Sequence, residues 1–102
     1  MEFDGFDWDL GNRAKCQKHG LSLGQIEELF RGVILIGPDP RHSAAEERFR
    51  AIGRTVDQRS VFVAFTWRLR GKERLIRPVS ARYMHQKEVA AYEKKISSSE
   101  NG

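Results

Sequence analysis

The chain has 102 residues, enough for one small core, with 39% hydrophobic and 31% charged residues. Its longest apolar runs, at 33–36 and 61–65, fall far short of the roughly 18 residues a membrane span needs. The acidic opening Met-Glu-Phe-Asp has no apolar signal region, and the single cysteine, Cys16, has no partner for an internal disulfide, so a reducing cytoplasm is the expected setting.

The net charge of +4 is unevenly spread. Residues 1–47 hold nine acids against five Lys/Arg, residues 83–102 balance at three and three, and residues 48–82 hold nine Arg and one Lys against only Asp57 and Glu73. The planar fork of arginine grips phosphate with two parallel hydrogen bonds, which a lysine surface does not do. A polyanion or an acidic protein is the partner this block suggests.

In chain order, residues 3–8 alternate weakly and predict a short strand. Asp9 is a plausible N-cap for a helix over 10–18, with Lys18 and His19 in its last turn and Gly20 as its stop. Ser22 and Gln25 form a capping box, and Leu21 and Ile26 stand at hydrophobic-staple spacing. A second helix therefore begins there, its stripe of Ile26, Leu29 and Phe30 ending at Gly32. The apolar run 33–36 predicts a buried strand. After a Pro-rich loop, 47–54 predicts a strand with Phe49 and Ala51 on one face and Arg48, Arg50, Ile52 and Arg54 on the other. Residues 60–67 give the strongest strand signal, 68–72 read as a polar hairpin loop, and 73–80 return as a strand. Pro78 cannot donate to a ladder, which places that strand at an edge or puts a bulge there. A last helix is expected over 84–96, followed by a tail at 97–102. The order is that of an α+β domain: two helices, an antiparallel meander and a closing helix.

Three groups carry candidate chemistry. His42 with Glu46 and Glu47 offers an acid and bases, although spacing alone equally describes an ordinary loop-to-strand junction. Arg48, Arg50 and Arg54, with Arg74, Arg77 and Arg82 on the last strand, read as a phosphate-binding face, the alternative being a solvated sheet surface. Several Arg on one face without acidic partners repel one another unless an anion offsets them. Tyr83 and Trp67 add stacking surfaces for bases, with Trp67 reading more readily as core. Lys18 and His19 are more often surface residues complementing a helix dipole. None of His19, His42 and His85 has a His or Cys partner at ligand spacing, so no metal or cofactor is expected.

Six segments occur together in order: Phe-Asp-Trp-Asp at 6–9, Lys-His-Gly-Leu-Ser at 18–22, Asp-Pro-Arg-His at 39–42, Glu-Glu-Arg-Phe at 46–49, Ile-Gly-Arg at 52–54 and Ser-Ala-Arg at 80–82. Together they resemble the BrnT toxin family of type II toxin–antitoxin modules, over about Phe6 to Tyr92. Pro78 and Tyr83 depart from that pattern, standing where the family commonly has an apolar β-former and a second basic residue. The resemblance implies a RelE-like fold and a ribonuclease that blocks translation by cutting RNA. It also implies a BrnA-like antitoxin with a ribbon-helix-helix DNA-binding domain, so that DNA is met only through the antitoxin. On that basis residues 1–96 are expected to be a single toxin domain and 97–102 a flexible tail.

The expected chemistry is metal-independent RNA cleavage. Glu47 or Glu46 serves as base toward the ribose 2′-OH, Arg48 and Arg82 stabilise the phosphate, and His42 is the acid. Lys18, His19, Arg50, Arg54, Arg77 and Tyr83 extend the binding surface. The alternatives are a non-catalytic basic module that binds RNA or antitoxin, and an inactive toxin retained as co-repressor. The composite site makes one geometric demand: Arg48 or Arg54 must share a face with Arg82.

Overall fold

The computed structural model describes residues 2–39 and 46–101, with side chains of the last helix as far as residue 94. Two capping boxes organise the first third of the chain. Asp9 Oδ1 accepts from the Asn12 N–H at 3.0 Å while Asn12 Oδ1 accepts from the Asp9 N–H at 2.6 Å, and helix α1 (Leu10–Gln17) starts there. The expected box of Ser22 and Gln25 starts α2 (Leu23–Arg31), whose Ile26, Leu29 and Phe30 are buried as the stripe predicts. Between the helices Gly20 turns the chain with φ of 96°, which a side chain rarely tolerates.

Among the described residues the remaining elements are β1 (Gly5–Phe6), β2 (Leu35–Pro38), β3 (Phe49–Arg54), β4 (Ser60–Arg70), β5 (Glu73–Tyr83) and α3 (Gln86–Asn101). They complete an α+β structure with a five-stranded sheet in the order β1-β5-β4-β3-β2. The sheet is mixed, not wholly antiparallel as expected: β1 runs parallel to β5, pairing Gly5 with Leu75 and Phe6 with Ile76. The predicted first strand shrinks to two residues because Asp7 and Asp9 turn away to meet arginines and cap α1.

One sheet face, built from Ala51, Val61, Val63, Phe65, Ile76 and Ala81, packs on Cys16, Leu21, Ile26, Leu29 and Phe30 of the helical layer. Phe65 lies at its centre with Phe30 edge-on at 5.2 Å and Phe49 stacked at 5.7 Å. Close approach of α2 to β3 needs Gly53, since a Cβ there would stand 2.9 Å from Ile34 Cγ2 and 3.0 Å from Leu29 Cδ1.

Three expectations change. The 33–36 run is not a buried strand: β2 starts two residues later at the sheet edge, where Val33 is 97% and Leu35 43% exposed. Residues 68–70 belong to β4, so the hairpin turn contracts to Gly71 and Lys72, with Gly71 at φ of 61°. The final helix begins at Gln86 and runs to Asn101. Pro78 resolves as a bulge inside the sheet, between β1 and β4. Ala64 pairs with Ser80 and Phe65 with Pro78, which leaves Val79 unopposed. The side-chain amide of Asn12 donates to the Pro78 and Asp7 carbonyls, both at 2.9 Å, tying α1 to the bulge.

Candidate functional site

Residues directly paired across antiparallel strands point to one side of a sheet. The register therefore places Arg50, Ala64 and Ser80 in one row, Ile52, Phe62 and Arg82 in the next, Arg54 with Ser60, and Thr66 with Arg77, all facing away from α1 and α2. Arg54 and Arg82 share a face, as the composite site demands. They stand two strand spacings apart and two residues out of register, about 12 Å, with Phe62 under the Arg82 guanidinium at 4.9 Å from its ring centre.

The premise of unpartnered arginines needs correction, because acids from other elements reach this face. At its α3 end, Arg82 donates to both oxygens of Glu88, at 2.8 and 2.9 Å, and Arg54 donates to Glu93 at 3.0 Å. Arg82 and the His85 backbone N–H together pull the Glu88 carboxyl down to about 2. Tyr92 is raised by burial, against the opposing charge of Arg50. None of the described residues of α3 is fully buried. It lies over the sheet through Val89 and Tyr92, which roof a hollow of about 380 Å³ floored by Ile52, Gly53 and Ser60.

At the other end of the same face, Asp7 is 6% exposed and accepts from Arg70 at 2.8 Å and from Arg77 at 3.4 Å, with Arg68 at 4.0 Å. Arg77 also donates to Asp9 at 2.7 Å. The Asp9 carboxyl is lowered first by the Asn12 backbone N–H and then by Arg77, while Arg77 is raised in turn, chiefly by Asp9. Glu46 pairs closely with Arg68 and is lowered by Arg68 first and Thr66 second. Glu47 is exposed, and Arg48 is half-buried with its carbonyl accepting from the Asp39 N–H. His42 lies outside the described residues.

A third group sits at the end of the sheet beside the helical corner. Tyr83 points to the helical side, where a Cβ on Gly20 would lie 3.9 Å from its ring, so the glycine that follows the exposed Lys18 and His19 meets Tyr83. The Arg59 guanidinium covers the Tyr83 ring at 3.5 Å from its centre. Cys16 is fully buried and its thiol is pushed up to about 11 by burial, which removes it from nucleophilic chemistry. Among the described residues no group of three or more His, Cys, Asp or Glu is arranged to hold a metal ion, and no helix is long and apolar enough to cross a membrane.

Sequence reasoning missed Arg59, Arg68, Arg70, Asp7, Asp9, Glu88 and Glu93. The period-2 alternation of 61–67 continues through Arg68 and Arg70, and that was the available signal for two of them. The acids that arrive from β1 and α3 left no local trace.

The class these features define is a small α+β protein with an arginine-rich sheet face bordered by carboxylates, suited to handling a phosphodiester chain. The description "ribonuclease toxin, BrnT, of type II toxin-antitoxin system" matches residues 8–88, and the chain belongs to that family. No curated protein sequence matches the chain.

Proposed function

We propose that this protein is the toxin of a type II module and arrests translation in the cytoplasm by cutting RNA without a metal ion. Its layout would be RelE-like, its substrate single-stranded RNA, and its neutralising partner a BrnA-like ribbon-helix-helix antitoxin. The observation that carries the reading is the placement of Arg50, Arg54, Arg77 and Arg82 on one sheet face in a member of a ribonuclease toxin family.

In the proposed step a carboxylate takes the proton of a ribose 2′-OH. The freed oxygen attacks the adjacent phosphorus, the bond to the 5′-oxygen breaks, and that oxygen receives a proton from His42. Glu47 is the stronger base candidate, because Glu46 is held by Arg68 and lies below the usual carboxylate range. Arg48 and Arg82 stabilise the charge building on the phosphate. Lys18, His19 and Tyr83 extend the RNA path at the sheet end, while Arg50, Arg54 and Arg77 line the face.

A second reading, a non-catalytic module that binds RNA or antitoxin, draws support from Arg54, Arg68, Arg70, Arg77 and Arg82 each carrying a carboxylate partner. Incubation with single-stranded RNA in excess chelator separates the two. Fragments ending in 2′,3′-cyclic phosphate and 5′-OH support the enzyme. A gel shift with intact RNA supports the binder.

A further inference from the structure

The turn between β3 and β4 is held more firmly than its sequence requires. Thr55 and Arg59 close it through the Thr55 N–H donating to the Arg59 carbonyl at 2.9 Å and the Arg59 N–H donating to Thr55 Oγ1 at 3.2 Å. The Gln58 N–H donates to the Thr55 carbonyl, Thr55 also bonds Asp57, and Gln58 sits at φ of 68°, a left-handed conformation costly for a side-chain-bearing residue. All of this fixes the backbone of Arg59. Its guanidinium then lies flat on Tyr83, and no carboxylate of the described residues pairs with it. Arg59 and Tyr83 both line a cleft of about 610 Å³ shared with Arg54, Gln58, Ser60 and Gln86, within the roughly 300–1,000 Å³ of ordinary ligand sites.

The geometry points to a nucleobase subsite here: an unpaired RNA base stacks on the outer face of Arg59, with Tyr83 as the rigid plate beneath it. This rests on RNA being the substrate, and it specifies where a base is held. Tyr83 by itself cannot be the stacking surface on this side, because Arg59 already covers its ring. A guanidinium plane accepts any base through its π face, so the subsite positions the strand without reading its sequence. Arg54 lines the same cleft and, among the described residues, pairs with Glu93, at side-chain exposures of 57% and 58%. Such an exposed pair yields readily, so a phosphate flanking the stacked base can take Arg54 in exchange.

The test uses 2′-O-methyl hexanucleotides, which lack the attacking hydroxyl, with 2-aminopurine moved along the strand. Wild type should quench the fluorophore at one position. Arg59→Lys keeps the charge and loses the plane. It should abolish that quenching and weaken binding roughly 5- to 30-fold, with an unchanged salt dependence. An abasic nucleotide at the same position should weaken wild type equally and Arg59→Lys not at all. Binding and quenching by Arg59→Lys equal to wild type would overturn the subsite while leaving RNA as the ligand. Wild type that binds no oligonucleotide would overturn the subsite and the RNA reading together.

Discussion

Glu88 on α3 holds Arg82 on β5 through both carboxylate oxygens, so the arginine proposed to stabilise the cleaved phosphate is occupied by an acid of the same chain. A phosphate and Glu88 compete for one fork. Glu88→Gln is therefore expected to tighten single-stranded RNA binding several-fold and to steepen its salt dependence, as titrations at two salt concentrations would show. An affinity that falls instead would mean that Glu88 orients Arg82 for RNA and does not mask it.

The same pair has a pH signature. Arg82 holds the Glu88 carboxyl down to about 2 from its ordinary value of 4.5, so its contribution is full above about 4.5 and is lost as pH falls toward 2. Thermal melts from pH 8 to 2 should show that loss in wild type. Glu88→Gln should flatten the acid limb of the curve and leave the profile above pH 5 unchanged in shape.

Replacing Arg48 or Arg82 singly by Ala is expected to slow RNA cleavage by about 100- to 1000-fold, the usual cost of losing one charge stabiliser. Growth arrest on expression should be relieved accordingly. Folded variants that remain as active as wild type would remove both residues from the site.

Two positions test the scaffold. Asn12 is nearly buried and its side chain satisfies the Asp9 N–H and the Asp7 and Pro78 carbonyls, so Asn12→Ala should cost about 2–3 kcal/mol. Gly53→Ala would press a methyl on Leu29 and Ile34, at a cost of about 1–3 kcal/mol. Denaturant melts measure both. In the same folded state Cys16 should resist thiol reagents at pH 8, given a thiol raised to about 11.

What could be read from sequence was what is local. The capping boxes at Asp9 and Ser22 depend on residues three apart, and the inward alternation of Val61, Val63 and Phe65 depends on residues two apart, so both were legible. The exposure of Leu35 and Ile36 was not, because an apolar run reads the same at a sheet edge as in its middle. Nor was the charge pairing of the arginine face. Asp7 meets Arg70 and Arg77 only because β1 docks beside β5, and Glu88 and Glu93 meet Arg82 and Arg54 only because α3 folds back over the sheet. Of the candidate site, the arginine strand and the shared face with Arg82 were visible. The Arg59 turn was not, because Arg59 meets Tyr83 only across the sheet end, 24 residues on.

The parallel pairing of β1 with β5 sets an order of assembly. Gly5 and Phe6 find their partners only at Leu75 and Ile76, so the first strand made is the last to be seated. During synthesis Asp7 has no Arg70 or Arg77 to face until those residues have left the ribosome, so the seating of β1 waits on β5. A nascent chain stopped before residue 73 should thus stay protease-sensitive and inert.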